Sequence, residues 1–155
     1  GYFVRLFSPE EMISIFELRE VLEGLAARRA AEKISDGQIK KLNTFFDRFA
    51  LGEPITDTKA YGQQDRRFHR FITDLGAMEF LSSILQAYNI ISFSYQVLGA
   101  DGLVRPPQET LVEHRAIIEA VSSRDPAAAE EKMRQHFRRT TDYIRAQVVA
   151  EEDGG

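Results

Sequence analysis

The sequence contains no cysteine. Disulfide scaffolds, thiolate zinc sites and cysteine nucleophiles are thereby excluded. Histidine and carboxylate remain as the side chains able to hold a metal ion. Histidine itself is scarce, with three in 155 residues. No apolar run reaches the ~18–20 residues that a membrane span needs, so no membrane partner is expected. Nothing at the N-terminus reads as a signal peptide. The helix signatures His-x-x-x-His and Glu-x-x-His are absent, which weighs against zincin and di-iron enzymes. No Ser-His-Asp motif, Walker loop or dinucleotide fingerprint is present. A net charge of -4 argues against this chain gripping nucleic acid by itself.

What the sequence does contain reads as one soluble domain with a core of ordinary size, 43% hydrophobic and 28% charged. Leu, Ile, Ala and Phe are frequent, and the five prolines fall near helix ends or between helices, which predicts an all-α fold. Residues 1–8 read instead as a short extended segment or arm. Ser8, Pro9 and Glu11 form an N-cap, a first-turn proline and a capping-box partner. They open a first helix expected to reach about Ile34, with Met12, Ile15, Leu18, Leu22, Leu25 and Ala26 as its apolar stripe. Arg19 interrupts that stripe, and its simplest role is a pair with Glu23 one turn on; the other is an anion clamp. Ser35 and Gln38 cap a second helix expected to run to about Gly52, packing through Leu42, Phe45, Phe46 and Phe49.

A third helix is expected from about Asp57 to Leu75, with Tyr61, Phe68, Ile72 and Leu75 inward; Arg66, Arg67 and Arg70 form a basic cluster, of which Arg67 and Arg70 read as solvated surface. A fourth, from about Met78 to Leu98, is apolar on most sides. Such a helix is covered by more than its own domain, which predicts a homodimer with the first helix contributing. An irregular stretch, Gly99 to Pro107, precedes a fifth helix to Ser123 with Leu111, His114, Ile118 and Val121 inward. Asp125-Pro126 opens a sixth, to about Val149, with Ala129, Met133, His136, Thr140 and Tyr143 inward. Residues 151–155 are expected to fray.

Asp65 and His69 stand four residues apart and so share one helix face, the apolar one. His114 and His136 fall on the apolar stripes of their own helices. An acid and three imidazoles directed into one interior are costly unless something pairs with them. A divalent metal held by Asp65, His69, His114 and His136 satisfies all four. Four ligands leave positions open on an octahedral ion, or nearly close a tetrahedral zinc site. Open positions suit either a bound ligand or a catalytic water, so a metal-dependent enzyme on a helical bundle stands as the alternative to a sensor. No general base independent of the metal shell stands out, which favours sensing.

Several of these stretches together resemble the effector-binding FCD domain of FadR-type regulators in the GntR family of bacterial transcription factors. Glu17-Leu18-Arg19-Glu20-Val21-Leu22-Glu23 matches the family's "ELRxxLE", Asp65-Arg66-Arg67-Phe68-His69 its "DxxFH", and Glu113-His114-Arg115-Ala116-Ile117 its "EHxxI". Ala120, Asp125, Ala128, Met133 and His136 match the ending, in the same order. Met78 departs from an asparagine common in the family. The resemblance implies an antiparallel bundle of six or seven helices over residues 9–150. It also implies a divalent metal on Asp65, His69, His114 and His136, zinc first with nickel or manganese as alternatives. A small carboxylate or sugar acid would bind at the metal's open face. Arg19 then matches a pocket arginine that would clamp the acid, and Thr110 and Tyr143 would line the same cavity. Residues 1–8 resemble the end of a winged-helix wing and linker. DNA would be bound only through that N-terminal domain, in the cytoplasm.

Overall fold

The computed structural model describes residues 8–77, 79–88 and 103–154. Among them are six helices and no strand. These are α1 (Pro9–Lys33), α2 (Asp36–Leu42), α3 (Thr58–Gly76), α4 (Glu79–Tyr88), α5 (Pro107–Ser122) and α6 (Pro126–Gly154). Residues 1–7 of the expected N-terminal arm, Met78, and the second half of the expected fourth helix lie outside the described residues.

The helix starts follow the predicted caps. Ser8 accepts from the Glu11 amide at 3.1 Å. Ser35 and Gln38 form a reciprocal capping box. A cap not read from the sequence opens α3, where Asp57 accepts from the Ala60 amide at 3.0 Å. The turn between α5 and α6 combines two devices. Asp125 and Arg124 donate their amides back to Ala120 and Val121 at 3.1 and 3.0 Å, a Schellman closure with Arg124 at φ 52 in the place glycine usually takes. Asp125 then caps α6, accepting from the Ala128 amide at 3.1 Å. α6 continues past Val149, and the residues expected to fray, up to Gly154, form an exposed last turn of helix.

α1 and α6 run antiparallel, as ion pairs along their length show. Arg28 meets Glu130, Glu20 meets Arg134 and Arg138 at 3.2 and 2.8 Å, and Glu17 meets Arg145 at 3.0 Å. Pairings between α1 and α3 advance in the same sense, Glu23 to His69 and then Ala26 to Gly76.

The buried face of α1 corrects the expected stripe. It runs through Phe16, Arg19, Glu23, Ala26, Ala27, Ala30 and Ala31, whereas Leu18 and Val21 are 45% and 54% exposed. The alanines let the backbones of α3 and α6 approach closely, Leu18 is left on the outer side, and Leu22 and Leu25 are half-buried. The closest approach is at Gly76, where an added Cβ would stand 1.7 Å from the Ala26 carbonyl oxygen and 2.5 Å from its carbon. Backbone cannot move aside as a side chain can. Gly76→Ala is expected to destabilise by about 3 kcal/mol or more, the upper range of overpacking costs. A denaturant midpoint unchanged from wild type would contradict the tight α1–α3 crossing.

The second helix ends at Leu42, ten residues short of Gly52, and the chain turns through residues 43–48. A straight helix would also hold Phe45, Phe46 and Phe49 on one face, within about 100° of one another. The turn buries all three, and its cost is a Phe46 backbone at φ 65, a conformation that a bulky residue adopts only when its surroundings over-determine it. Arg115 supplies part of that determination, donating to the Phe49 and Phe46 carbonyls at 2.6 and 3.3 Å. The gain is a Phe46 ring stacked on His114, with centroids 4.6 Å apart and planes 6° from parallel.

Candidate metal and ligand site

The three histidines singled out in the sequence come together, and Asp65 reaches two of them. Asp65 and His69 come from α3, His114 from α5 and His136 from α6. One Asp65 carboxylate oxygen, Oδ1, is 3.2 Å from His69 Nε2 and 3.0 Å from His114 Nε2, and the two Nε2 atoms are 3.3 Å apart. Donor atoms of the three imidazoles lie within 4.8 Å of one another. Bonds of ~2.1 Å to a common ion give donor–donor edges of about 3.0 Å in an octahedron and about 3.4 Å in a tetrahedron. The separations around Asp65, His69 and His114 fall in that interval.

The far side of each ring decides which nitrogen faces the focus. His69 Nδ1 meets Glu23 Oε1 at 2.6 Å, and His136 Nδ1 meets Glu113 Oε1 at 2.7 Å. His114 Nδ1 meets the Tyr61 hydroxyl at 2.9 Å, that hydroxyl meets Thr110 Oγ1 at 2.7 Å, and Thr110 Oγ1 meets the Pro107 carbonyl at 3.2 Å. Those last three contacts need three protons, and the two hydroxyls supply only two. His114 Nδ1–H supplies the third, so its Nε2 presents a lone pair. Each imidazole thus has its Nδ1 engaged, the arrangement that fixes tautomer and ring orientation in metal-ligating histidines.

Both orienting glutamates are tied to arginines. Glu23 accepts from Arg19 Nε at 2.5 Å. Glu113 accepts from Arg105 Nη1 and Nη2 at 2.9 and 2.6 Å. Arg105 also donates to Thr140 Oγ1 at 3.2 Å and to the His136 carbonyl at 3.1 Å. Its Nη2 is 3.4 Å from His136 Nδ1, but both are donors, and the nearer Glu113 oxygen takes the His136 proton. Arg19 lies over the Phe137 ring, its guanidinium carbon 4.7 Å from the centroid.

Burial works against every charge here, and the partners determine which survive. Burial raises the Glu23 carboxyl, but Arg19 and His69 outweigh it and hold Glu23 below its usual range. Burial likewise opposes ionised Asp65 and Glu113; His69 and His114 overcome it at Asp65, and Arg105 with His136 at Glu113, so both stay ionised. His69, between Glu23 and Asp65, is raised despite its burial. His114 is lowered by burial, which Asp65 only partly offsets. His136 is pushed down to about 3 by burial, with His114 and His69 adding to the effect against Glu113. An ionised Asp65 beside three imidazoles, two of them held neutral, is a donor set matched to a divalent cation.

A cavity of about 40 Å³ opens at the focus, lined by Phe16, Arg19, Asp65, His69, Leu103, Val104, Arg105, Thr110, His136, Phe137 and Thr140. Arg19 and Thr110 both line it, and the Arg19–Glu23 pair exists alongside. Tyr143 is placed elsewhere. It lines a neighbouring cavity of about 330 Å³ with Pro9, Met12 and Ile144, separated from the first by Leu103 and Val104. The buried face of α6 passes from Thr140 to Ile144, one helical turn on, which turns Tyr143 aside; Thr140 takes its place in the wall. Arg66, Arg67 and Arg70 are exposed.

Sequence reasoning gave no role at the site to Tyr61, Glu113 or Arg105, and saw Glu23 only as a partner for Arg19. Arg105 carried a usable signal, being the only lysine or arginine between Arg70 and Arg115. Glu113 carried none beyond its place beside His114.

The FCD domain family matches residues 14–139 of the chain. The chain is 26% identical over 154 residues to the HTH-type transcriptional repressor RspR of Escherichia coli, covering 94% of this chain and 63% of that protein. It is 24% identical to the HTH-type transcriptional repressor NanR of Cronobacter sakazakii over 140 residues, 85% of this chain and 50% of that one. A probable D-xylose utilization operon transcriptional repressor of Paenarthrobacter nicotinovorans is 24% identical over 137 residues, 88% of this chain and 59% of that protein. The chain thus spans between half and two thirds of the length of these relatives. They are transcriptional regulators, not enzymes.

Proposed function

Because the chain belongs to the FCD domain family of GntR-type transcriptional regulators, we propose that residues 9–150 form a sensor that binds a divalent ion and, on it, a small carboxylate or sugar acid. The ion is held by Asp65, His69, His114 and His136. Three nitrogens and one oxygen suit zinc first, with nickel or manganese as alternatives. The observation that carries this reading is the convergence of these donors, with every Nδ1 already bonded to Glu23, Tyr61 or Glu113. Asp65 and Glu113 hold charge at neutral pH, and the ion supplies the positive charge that attracts an acid.

Arg19 meets the acid's far end while keeping Glu23, since a guanidinium offers five donors. Thr110 accepts from Tyr61 and retains a lone pair for a ligand hydroxyl. The protein acts as a homodimer, with the exposed Leu18 and Val21 of α1 at the interface. Residues 1–8 lead from a winged-helix domain through which DNA is bound, in the cytoplasm. No helix of the described residues is long and apolar enough to cross a membrane. The acid acts by shifting the population between two dimer geometries that space the DNA-binding domains differently.

Elemental analysis of protein purified without chelator tests the ion, with about one per chain expected. Calorimetry with a panel of small carboxylates on wild type and Arg19→Ala tests the clamp. Loss of a charge-assisted hydrogen bond is expected to cost about 1.5–3 kcal/mol of affinity. An acid that binds both proteins within about twofold would remove Arg19 from the ligand site.

A further inference from the structure

Two relays of the same composition approach the focus from different helices. Arg19 holds Glu23, which holds His69. Arg105 holds Glu113, which holds His136. The buried fixed charges around the cavity, among the described residues, are therefore three carboxylates (Asp65, Glu23 and Glu113) and two guanidiniums. Their sum is one negative charge. A divalent ion on neutral imidazoles brings the same site to one positive charge. Arg139, 3.3 Å from Glu113, is 57% exposed at its side chain, so water screens most of its contribution.

We infer that the ion-loaded cavity selects a small monocarboxylate over a dicarboxylate, and that Glu23 and Glu113 set this selectivity by cancelling the two arginines. The inference rests on the reading of Asp65, His69, His114 and His136 as an ion site. One anionic charge neutralises the loaded cavity, whereas a second is buried without a partner, and a buried charge stays only where it is paired. The empty site offers an anion no net attraction, so acid binding depends on the ion. By reciprocity the acid tightens the ion by the same factor. The cavity's volume of about 40 Å³ restricts the acid to a few heavy atoms beyond the ion.

The test is calorimetry at pH 7.5 on zinc-loaded and chelator-stripped protein. Glycolate, lactate and pyruvate are the monoanions; oxalate and malonate are dianions of similar size. Elemental analysis before and after each titration confirms that the ion stays. The loaded wild type is expected to bind the best monoanion on the order of tenfold more tightly than either dianion, the scale of one unit charge across a partly screened site. The stripped protein binds neither set. In zinc-loaded Glu113→Gln the preference moves toward the dianions by a similar factor, and Glu23→Gln, on the other relay, does the same. Dianions binding the wild type as tightly as monoanions overturn the inference, as does a ratio unmoved in both variants, or a loaded protein that takes neither set. In each of these outcomes ion binding itself still stands. Failure of the protein to take up zinc is a separate result, and overturns the ion site on which the inference rests.

Discussion

Thermal unfolding with and without zinc should separate wild type from His114→Ala more sharply than any other measurement. A ligand that binds only the native state stabilises it by about 4 kcal/mol at a thousandfold excess over its dissociation constant. For a domain of this size that is a rise of roughly 8–16 °C in Tm. His114→Ala removes one nitrogen donor and also the partner of the Phe46 ring, stacked at 4.6 Å, so its ion-free Tm falls for a reason unrelated to metal. The zinc-induced shift is the informative quantity, and it is expected to vanish. Asp65→Asn keeps the size of the side chain, loses its charge, and is expected to lose most of the shift; its ion-free Tm also falls, because His69 and His114 lose the carboxylate between them. A His114→Ala protein that keeps the wild-type shift would mean the ion is bound elsewhere.

Arg105→Ala should be the most destabilising change at the site itself. Glu113 is only 8% exposed, and Arg105 gives it two hydrogen bonds. Removing one member of a buried pair leaves a charge uncompensated, and typically costs about 3–5 kcal/mol. The lower end applies here, because Arg139 lies 3.3 Å from the same carboxylate and recovers part of the loss. Arg105→Leu combined with Glu113→Gln removes both charges together, and is expected to regain about half of that cost or more. Chemical denaturation of the three proteins checks this. An Arg105→Ala variant within about 0.5 kcal/mol of wild type would class Arg105 with ordinary surface residues.

The same arginine marks the boundary between what could be read and what could not. Helix starts at Ser8, Ser35 and Asp125 were legible because a cap acts within three or four residues of itself. So were Asp65, His69, His114 and His136, because a polar side chain on an apolar stripe signals a buried partner without any knowledge of the fold. The partners of those rings were not legible. Glu23 lies 46 residues from His69 in sequence, and Tyr61 lies 53 from His114. Neither local periodicity nor spacing pairs such residues.

The second helix was overextended for a related reason. Phe45, Phe46 and Phe49 are apolar at spacings a helix accepts, and it takes the long-range stack of Phe46 on His114 and the Arg115 hydrogen bonds to compensate for a backbone at φ 65. The face of α1 was misjudged because hydrophobicity ranks leucine above alanine, while close backbone approach, as at Gly76 against Ala26, favours the smaller side chain. Composition, caps and the four candidate ligands were properties of the chain itself. Tertiary packing alone decided the two Arg–Glu–His relays and the displacement of Tyr143 into the neighbouring cavity. Both depend on which helices meet and how closely, and those distances are set by side chains far apart in the sequence.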